Sequence, residues 1–540
     1  MKNYGFIIDN RRCIGCHACT VACKSEHNVP IGVNRTWVKY IEKGTFPDSR
    51  RLFSVMRCNH CDNAPCVEIC PVTALYRRDD GIVDFDNRRC IGCMACMQAC
   101  PYDALYIDPE THTAAKCNYC AHRIDVGLEP ACVVVCPTQA IISGDLNDPN
   151  SKISKLKNRH QVSVRKGEKG TLPALYYIDG DTASLDPLAT SAISESMWGQ
   201  QNLGVAQYAP DALHEGHPLD RLASFLSFGE SPELRAKLTD QVRESTAGDS
   251  RRVYDAPQKG VTWGVPVVAY LWTKGISAGV AIIATLASLL KLSAITSGLH
   301  VLAALVALLF LALTGYLLAG DLQQPKRFLY VLLRPQWRSW LVKGAYIITA
   351  FGALLPIYFL LAAFGVSSGV VNFLIFGLGI LTAIYTAFLF SQAKGRDYWQ
   401  TPVLPFQMLA HSLLLGAAVF AILSPFTNDF AWTNFAVGSW VTYTAWVLAI
   451  SAMVHLSCDL IDLFITHPSV AAQRTSHEIF RGRYARMYWL GSFLLAGVVP
   501  IFCVFSGIGG LMPLAGVSVL VGVYISQHIL VFAPQQLPLS

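Results

Sequence analysis

The sequence predicts two parts of different class: a small α+β domain assembled around cysteine, then an all-α polytopic membrane domain of eight transmembrane helices. Three observations carry this expectation. Sixteen of the eighteen cysteines in the 540-residue chain lie before residue 137, in four closely spaced quartets. From about residue 263 onward Leu, Ala, Val, Ile, Phe and Gly dominate, in eight apolar runs long enough to cross a bilayer. Between these regions lie about a hundred polar residues rich in Pro, Gly, Asp and Ser. The net charge of +6 is modest, and no basic run is large enough to follow a phosphate backbone, so nucleic acid is not an expected partner.

The cysteine quartets specify the first part. Cys90-Ile-Gly-Cys93-Met-Ala-Cys96-Met-Gln-Ala-Cys100-Pro101 has the spacing in which three close thiolates take three irons of a 4Fe–4S cube. The fourth thiolate then reaches a neighbouring cluster. Cys13, Cys16, Cys19 and Cys23 repeat the spacing without the proline. Cys58, Cys61, Cys66 and Cys70 widen the middle gap, with Pro71 following, and Cys117, Cys120, Cys132 and Cys136 widen it further, with Pro137 following. Zinc sites normally use two separated Cys pairs, and a disulfide framework has no reason to repeat an unbroken four-thiol run. Residues 1–160 therefore read as an α+β doubled ferredoxin-like iron–sulfur domain with ligands for four 4Fe–4S clusters. Short strand-like pieces such as Phe6–Asp9 precede motif one, and Gly81–Asp86 leads into motif three with the alternation of a hairpin.

Which motifs exchange fourth ligands is partly legible. Motifs two and three lie twenty residues apart, from Cys70 to Cys90, as in a two-cluster ferredoxin, which would leave motif one to pair with motif four. Spacing equally allows one with two and three with four. The domain resembles the four-cluster electron-transfer subunits of molybdopterin oxidoreductases, such as those of dimethyl sulfoxide and polysulfide reductases. That resemblance implies the crossed pairing: Cys58, Cys61, Cys66 with Cys100; Cys90, Cys93, Cys96 with Cys70; Cys13, Cys16, Cys19 with Cys136; Cys117, Cys120, Cys132 with Cys23. Some members replace a motif-three cysteine, whereas this chain keeps all sixteen.

Residues 161–262 are expected to be a polar linker or partner-docking segment, with one amphipathic helix near Pro232–Glu244. The membrane domain, 263–540, has spans near 266–290, 298–319, 341–363, 368–392, 405–425, 436–464, 485–507 and 511–533. If the cysteine domain and the even-numbered loops share a side, that side receives Lys326, Arg327, Arg334, Arg338, Lys343, Lys394, Arg396, Arg474, Arg481, Arg483 and Arg486. The opposite side receives Lys291 alone. Lys and Arg mark the cytoplasmic face, so the iron–sulfur domain is expected on the cytoplasmic side of a bacterial or archaeal inner membrane. Residues Met1–Asp9 contain no apolar core or twin arginine and do not read as a signal peptide. Such subunits can also be exported on a signal-bearing catalytic partner; the loop charge favours the cytoplasm.

The membrane half resembles the NrfD/polysulfide-reductase-type anchors. The likeness rests on Tyr270–Gly279, on Asp321-Leu322 with Pro325-Lys326-Arg327-Phe328, on Arg334–Trp340, and on the loop from His467-Pro468 to Gly482-Arg483-Tyr484. It implies an eight-helix anchor without haem that exchanges electrons with a quinone, menaquinone or ubiquinone. Ionisable groups inside a bilayer are costly and mark function. Lys274, roughly 12 Å into the first span at 1.5 Å per residue, and His411, His455, Asp459, Asp462 and His528 all fall near the end of their helices expected to carry the clusters. Asp321 and Arg327 border that face. Lys274, Asp321, Arg327, His411, His455 and Asp459 are the candidate quinone-binding residues, able to donate hydrogen bonds to carbonyls and to accept a quinol proton.

In the outer half of the spans only His300 stands out, so no transmembrane proton pump is expected. No His pair recurs along one helix, and no haem is expected. Cys458 and Cys503 read as packing residues. No constellation for substrate chemistry is present, so the catalytic centre is expected on another polypeptide, a molybdenum or tungsten molybdopterin subunit. Two readings of other classes remain: a self-sufficient ferredoxin:quinone oxidoreductase and a redox-sensing membrane module.

Overall fold

The structure is a computed structural model describing residues 2–190, 250–256, 259–291, 297–426 and 437–540. The helix expected near 232–244 lies outside the described residues. The chain divides into two compact units, Met1–Thr262 with Ala393–Gly395 and Pro538–Ser540, and Trp263–Gln392 with Arg396–Leu537.

In the first unit each cysteine motif is a loop running into a short helix. The helices are α1 (Ala18–His27), α2 (Pro65–Ile69), α3 (Ala95–Ala99), α4 (Ala121–Ile124) and α5 (Ala131–Val134). The third cysteine of each motif sits at or near the helix start. The fourth follows at i+4 (Cys19 to Cys23, Cys66 to Cys70, Cys96 to Cys100, Cys132 to Cys136), one turn along on the same face. Cys70 and Cys100 end α2 and α3 with ψ of 117° and 115°. Pro71 and Pro101 impose this, because a residue before proline is pushed out of the helical region. Gly15 in the first motif and Gly92 in the third hold φ of +72° and +70°, conformations open to glycine, and a Cβ on Gly15 would lie 2.5 Å from the Phe53 ring.

Four sheets frame these loops. The largest has the order β8 (Ile141–Asp145), β1 (Tyr4–Asp9), β10 (Leu175–Ile178), β9 (Val162–Ser163), with β1 antiparallel to β8 and parallel to β10. The second has the order β11 (Ser250–Tyr254), β2 (Thr36–Lys43), β3 (Arg50–Arg57). Two hairpins join the motifs: β4 (Leu75–Arg77) with β5 (Val83–Phe85), and β6 (Tyr106–Ile107) with β7 (Ala114–Ala115). The core gathers Phe6, Ile8, Val38, Val55, Tyr119, Leu175 and Tyr177. The domain edge expected after residue 160 is not an edge of this unit, because β10 is hydrogen-bonded between β1 and β9. Leu175-Tyr-Tyr-Ile178 is an apolar strand set among the Pro, Gly and Asp that made this stretch read as a linker. α6 (Lys152–Arg159) and α7 (Thr182–Leu185) also belong here.

The second unit contains, among the described residues, eight helices long and apolar enough to cross a membrane. They are α8 (Val265–Leu289), α9 (Ser297–Gly320), α11 (Trp340–Ala363), α12 (Gly369–Gln392), α13 (Leu404–Leu423), α14 (Val437–Phe464), α16 (Met487–Phe505) and α17 (Met512–Phe532). All eight coincide with the expected spans. The short α10 (Tyr330–Leu333) and the amphipathic α15 (Val470–Phe480) lie in the connections. α8 is the most enclosed span. It crosses α13 at Gly279 and Gly416, where a Cβ would come within 1.8 Å of the Ser412 carbonyl oxygen or 2.3 Å of the Gly279 carbonyl carbon. Small residues let two backbones meet where lipid offers no hydrophobic drive. α16 is wound as a π-helix over Met487–Val498 and as an α-helix over Val499–Phe505. The π winding, rare beyond a single turn, presents Tyr488 and Ser492 to α14.

Candidate cluster sites and a buried polar site in the membrane unit

All eighteen cysteines are free thiols, and the electrostatic neighbours of the sixteen in the first unit outline four sets, labelled A to D. In group A, Cys13 lies within electrostatic reach of Cys16 and Cys136, and Cys19 of Cys13. In group B, Cys23 meets Cys117, Cys120 and Cys132. In group C, Cys66 meets Cys58, Cys61 and Cys100. In group D, Cys96 meets Cys70, Cys90 and Cys93. These neighbours are compatible with the crossed pairing, in which motif one shares ligands with motif four and motif two with motif three. The groups also fall in a line. Cys19 of A reaches Cys132 of B, Cys117 of B reaches Cys58 of C, and Cys96 of D reaches Cys66 of C.

The donor sets fit iron–sulfur clusters. Burial, reinforced by neighbouring thiols, pushes Cys19 up to about 11 and Cys120 up to about 12, and raises Cys23, Cys66 and Cys96 further. Four such thiols ionise together only with metal charge among them, which iron would supply. Backbone N–H groups already point at the sulfurs: Ala74 to Cys70 (3.3 Å), Gly92 and Ala114 to Cys90 (3.4 Å each), and Ala140 to Cys136 (3.2 Å). Cys70, Cys90, Cys93 and Cys96, with Leu75 and Ile91, line one apolar cavity.

Polar side chains that the motif spacing did not single out stand against these thiols. The fully buried Arg57 donates Nη1 to Cys132 Sγ at 3.1 Å and lies over the Phe6 ring at 4.5 Å. The buried Lys116 hydrogen-bonds the Val83 and Cys117 carbonyls and lies within reach of Cys58. His60 accepts the Val83 N–H on Nδ1 at 3.1 Å, so its Nε2 carries the proton and faces Cys117 Sγ at 3.7 Å. His27 Nε2 lies 3.1 Å from Cys120 Sγ; burial pushes its imidazole down to about 4, so at neutral pH the ring is uncharged. One sequence signal was available: a basic residue, Arg57 or Lys116, directly precedes the first cysteine of motifs two and four.

In the membrane unit, three of the six expected quinone residues come together. His411 Nε2 lies 3.2 Å from His455 Nδ1. His455 Nε2 meets the Ser492 hydroxyl at 3.3 Å and Asp459 Oδ2 at 3.7 Å. The Asp459 carboxylate accepts from Gln407 Nε2 (2.9 Å) and from Ser492 Oγ (3.4 Å), and the Tyr488 hydroxyl also bonds it. Asp459 opens on a small pocket with Gln407, Tyr398, Asp462, Tyr488 and Phe480 on its wall. Tyr398 donates its hydroxyl to Asp462 Oδ2 at 2.6 Å. His411, His455 and Asp459 are all buried, and His411 Nδ1 has no partner among the described residues.

No described contact joins the other three expected residues to Asp459. Lys274 Nζ donates to Thr386 Oγ1 (2.6 Å) and to the Ala383 carbonyl (3.3 Å), and sits over the Tyr385 ring at 4.6 Å. Its ammonium therefore ties α8 to α12 and, among the described contacts, does not reach Asp459. Asp321 follows α9 directly and acts electrostatically on Tyr270, one turn before Lys274. Arg327 ends a short 3₁₀ turn over Pro325–Arg327. Convergence at one depth did not mean convergence at one point, because depth along a helix says nothing of which face the residue occupies. Gln407, Ser492 and Tyr488 were missed because uncharged polar residues do not stand out in an apolar span.

Comparison with known proteins agrees with both halves. Residues 12–75 and 50–146 match 4Fe-4S dicluster domain families. A tetrathionate reductase subunit of Salmonella typhimurium is 45% identical over 199 residues, covering 36% of this chain and 79% of that subunit. A polysulfide reductase subunit of Wolinella succinogenes is 43% identical over 190 residues, covering 34% of this chain and 98% of that one. The arsenate respiratory reductase iron-sulfur subunit ArrB of a Shewanella species is 35% identical over 224 residues, 32% of this chain and 95% of that subunit. Residues 255–538 match the family described as Polysulphide reductase, NrfD. The chain therefore belongs to the polysulphide reductase NrfD family, as a multi-pass membrane protein with a 4Fe–4S electron-transfer subunit fused ahead of the anchor.

Proposed function

We propose that this chain is the electron-transfer and membrane-anchor subunit of a respiratory oxidoreductase, passing electrons through four 4Fe–4S clusters between a molybdopterin catalytic subunit and the quinone pool. The observation that carries the reading is four cysteine motifs whose thiols act on one another in the sequence A to B to C to D, in a chain fused to an NrfD-type anchor. A line of four stations suits conduction between two distant partners. Its relatives are named as subunits of tetrathionate and polysulfide reductases and as the iron-sulfur subunit of an arsenate respiratory reductase, which favours a catalytic partner on a separate chain.

Quinone exchange would take place at the Asp459 pocket. A quinol hydroxyl in hydrogen-bond contact with Asp459 loses its proton to the carboxylate, which Gln407 and Ser492 hold in place. His455 and His411 continue the hydrogen-bonded line beyond it. Oxidation of a quinol there would release two protons and two electrons, which iron–sulfur clusters held by the cysteine motifs would accept one at a time. Lys274 then serves as a structural cation between helices. The loop charges support an inner membrane location with the cluster domain in the cytoplasm.

The test is purification of the tagged chain from its own host in mild detergent, with metal analysis and identification of co-purifying subunits. About sixteen irons per chain with stoichiometric molybdenum or tungsten on a large soluble subunit is the expected result. Sixteen irons with no second metal and no partner would overturn the reading in favour of a self-sufficient ferredoxin:quinone oxidoreductase.

A further inference from the structure

The four thiol groups are not electrostatically alike. Group D takes backbone N–H donors from Ala74, Gly92 and Ala114, and the charged neighbours of its Cys96 are cysteine thiols. Group C has Lys116 hydrogen-bonded to Cys58 and near Cys66, and Lys259 near Cys100, the latter paired with Asp103. Group A includes the exposed Cys16 and feels Arg57 at Cys19.

Group B differs at each of its four thiols. Arg57 donates to Cys132 and acts on Cys117 and Cys23. Lys116 acts on Cys117, and His60 turns its Nε2–H toward the same sulfur. His27 stands on Cys120. Arg57 is always charged and fully buried, and its Nε and Nη2 have no hydrogen-bond partner among the described residues. The opposing carboxylate is Glu26, near Cys120, which is paired with Arg123 (3.2 Å) and hydrogen-bonded to His122 (2.7 Å).

Hydrogen bonds to sulfur and nearby positive charge stabilise the reduced, more negative form of an iron–sulfur centre and raise its potential. We infer that the group of Cys23, Cys117, Cys120 and Cys132 is the highest-potential station of the chain, with Arg57, His60 and His27 as the residues that set it. The inference rests on the four-cluster reading given above. Group B lies inside the line, between A and C, so it acts as an electron well. One electron leaves a neighbouring station, which is oxidised by one, and enters group B with no proton moved and no bond broken. Arg57, His60 and His27 act on it through the ligand thiolates and are positioning residues.

The test is a redox titration of the full chain in detergent, followed by low-temperature electron paramagnetic resonance, with iron quantified on the same samples. Arg57→Gln, His60→Leu and His27→Phe should each lower the highest-potential one-electron step. For Arg57→Gln the shift should be at least tenfold in its equilibrium with the neighbouring station, about 59 mV. Arg57→Lys, which keeps the charge, should restore most of it. Arg88→Gln, removing an exposed arginine beside motif three, should leave that step in place. A highest step unmoved by Arg57→Gln and His27→Phe, at full iron content, overturns the inference while leaving the four-cluster reading intact. Iron well below sixteen in the unmodified chain overturns both. If Arg57→Gln loses iron, His27→Phe decides, because its ring is only half-buried.

Discussion

Asp459→Asn isolates the acid–base step at the membrane site. The carboxylate accepts from Gln407 at 2.9 Å and Ser492 at 3.4 Å and faces His455 at 3.7 Å. Asparagine has the same size, and its carbonyl oxygen still accepts from Gln407. Its amide replaces Oδ2 and donates toward Ser492 or His455, so the fold loses about one net hydrogen bond, ~1 kcal/mol. Such a change leaves the protein folded. What disappears is the proton acceptor. Positioned general bases contribute about 10²–10⁴-fold, so turnover should fall by that factor, a barrier increase of roughly 3–5 kcal/mol. The assay is stopped-flow mixing with a short-chain quinol, following bleaching of the iron–sulfur absorbance, with iron content and unfolding temperature measured on the same material. Asp462→Asn is the companion variant: its carboxylate is held by Tyr398 at 2.6 Å, and its replacement should cost less than about tenfold. Turnover of Asp459→Asn within tenfold of the unmodified chain, with quinol saturating, would refute the assignment of Asp459 as the base.

Lys274→Met should separate the two polar clusters. It removes the bond to Thr386 and should lower the yield and thermal stability of detergent-solubilised protein, while quinol turnover per folded chain stays within about tenfold; a loss as large as that of Asp459→Asn would return Lys274 to the quinone site. Gly279→Ala brings a methyl group to 1.8 Å from the Ser412 oxygen and should destabilise the α8–α13 crossing by about 1–3 kcal/mol, read as a lower unfolding temperature. Removing iron by chelation under reducing conditions should leave four groups of protonated thiols and cost the first unit its protease resistance, whereas the apolar spans should keep their helical circular dichroism. Protease added to inverted membrane vesicles should remove the first unit, and added to right-side-out cells should not; the reverse pattern would refute the orientation read from the loop charges.

The four cysteine motifs, the two-part architecture and the eight spans were legible in the amino-acid order, because each is set by local spacing. A Cys-x2-Cys-x2-Cys loop wraps metal wherever it lies, and about twenty apolar residues suffice for a span. Even the i+4 placement of each fourth cysteine follows from the helix period. What only the tertiary structure decided is which elements meet. Basic residues precede the first cysteine of all four motifs, Arg12, Arg57, Arg89 and Lys116, yet Arg12 and Arg89 are exposed while Arg57 and Lys116 are buried between thiol groups. Likewise Lys274 and Asp459 share a depth in the sequence, but α8 turns one toward α12 and α14 turns the other toward α13 and the π-wound α16. Local chemistry fixes the kind of ligand and the length of a span, whereas the face a side chain presents, and the charge it meets there, depends on the packing of residues far apart in the chain.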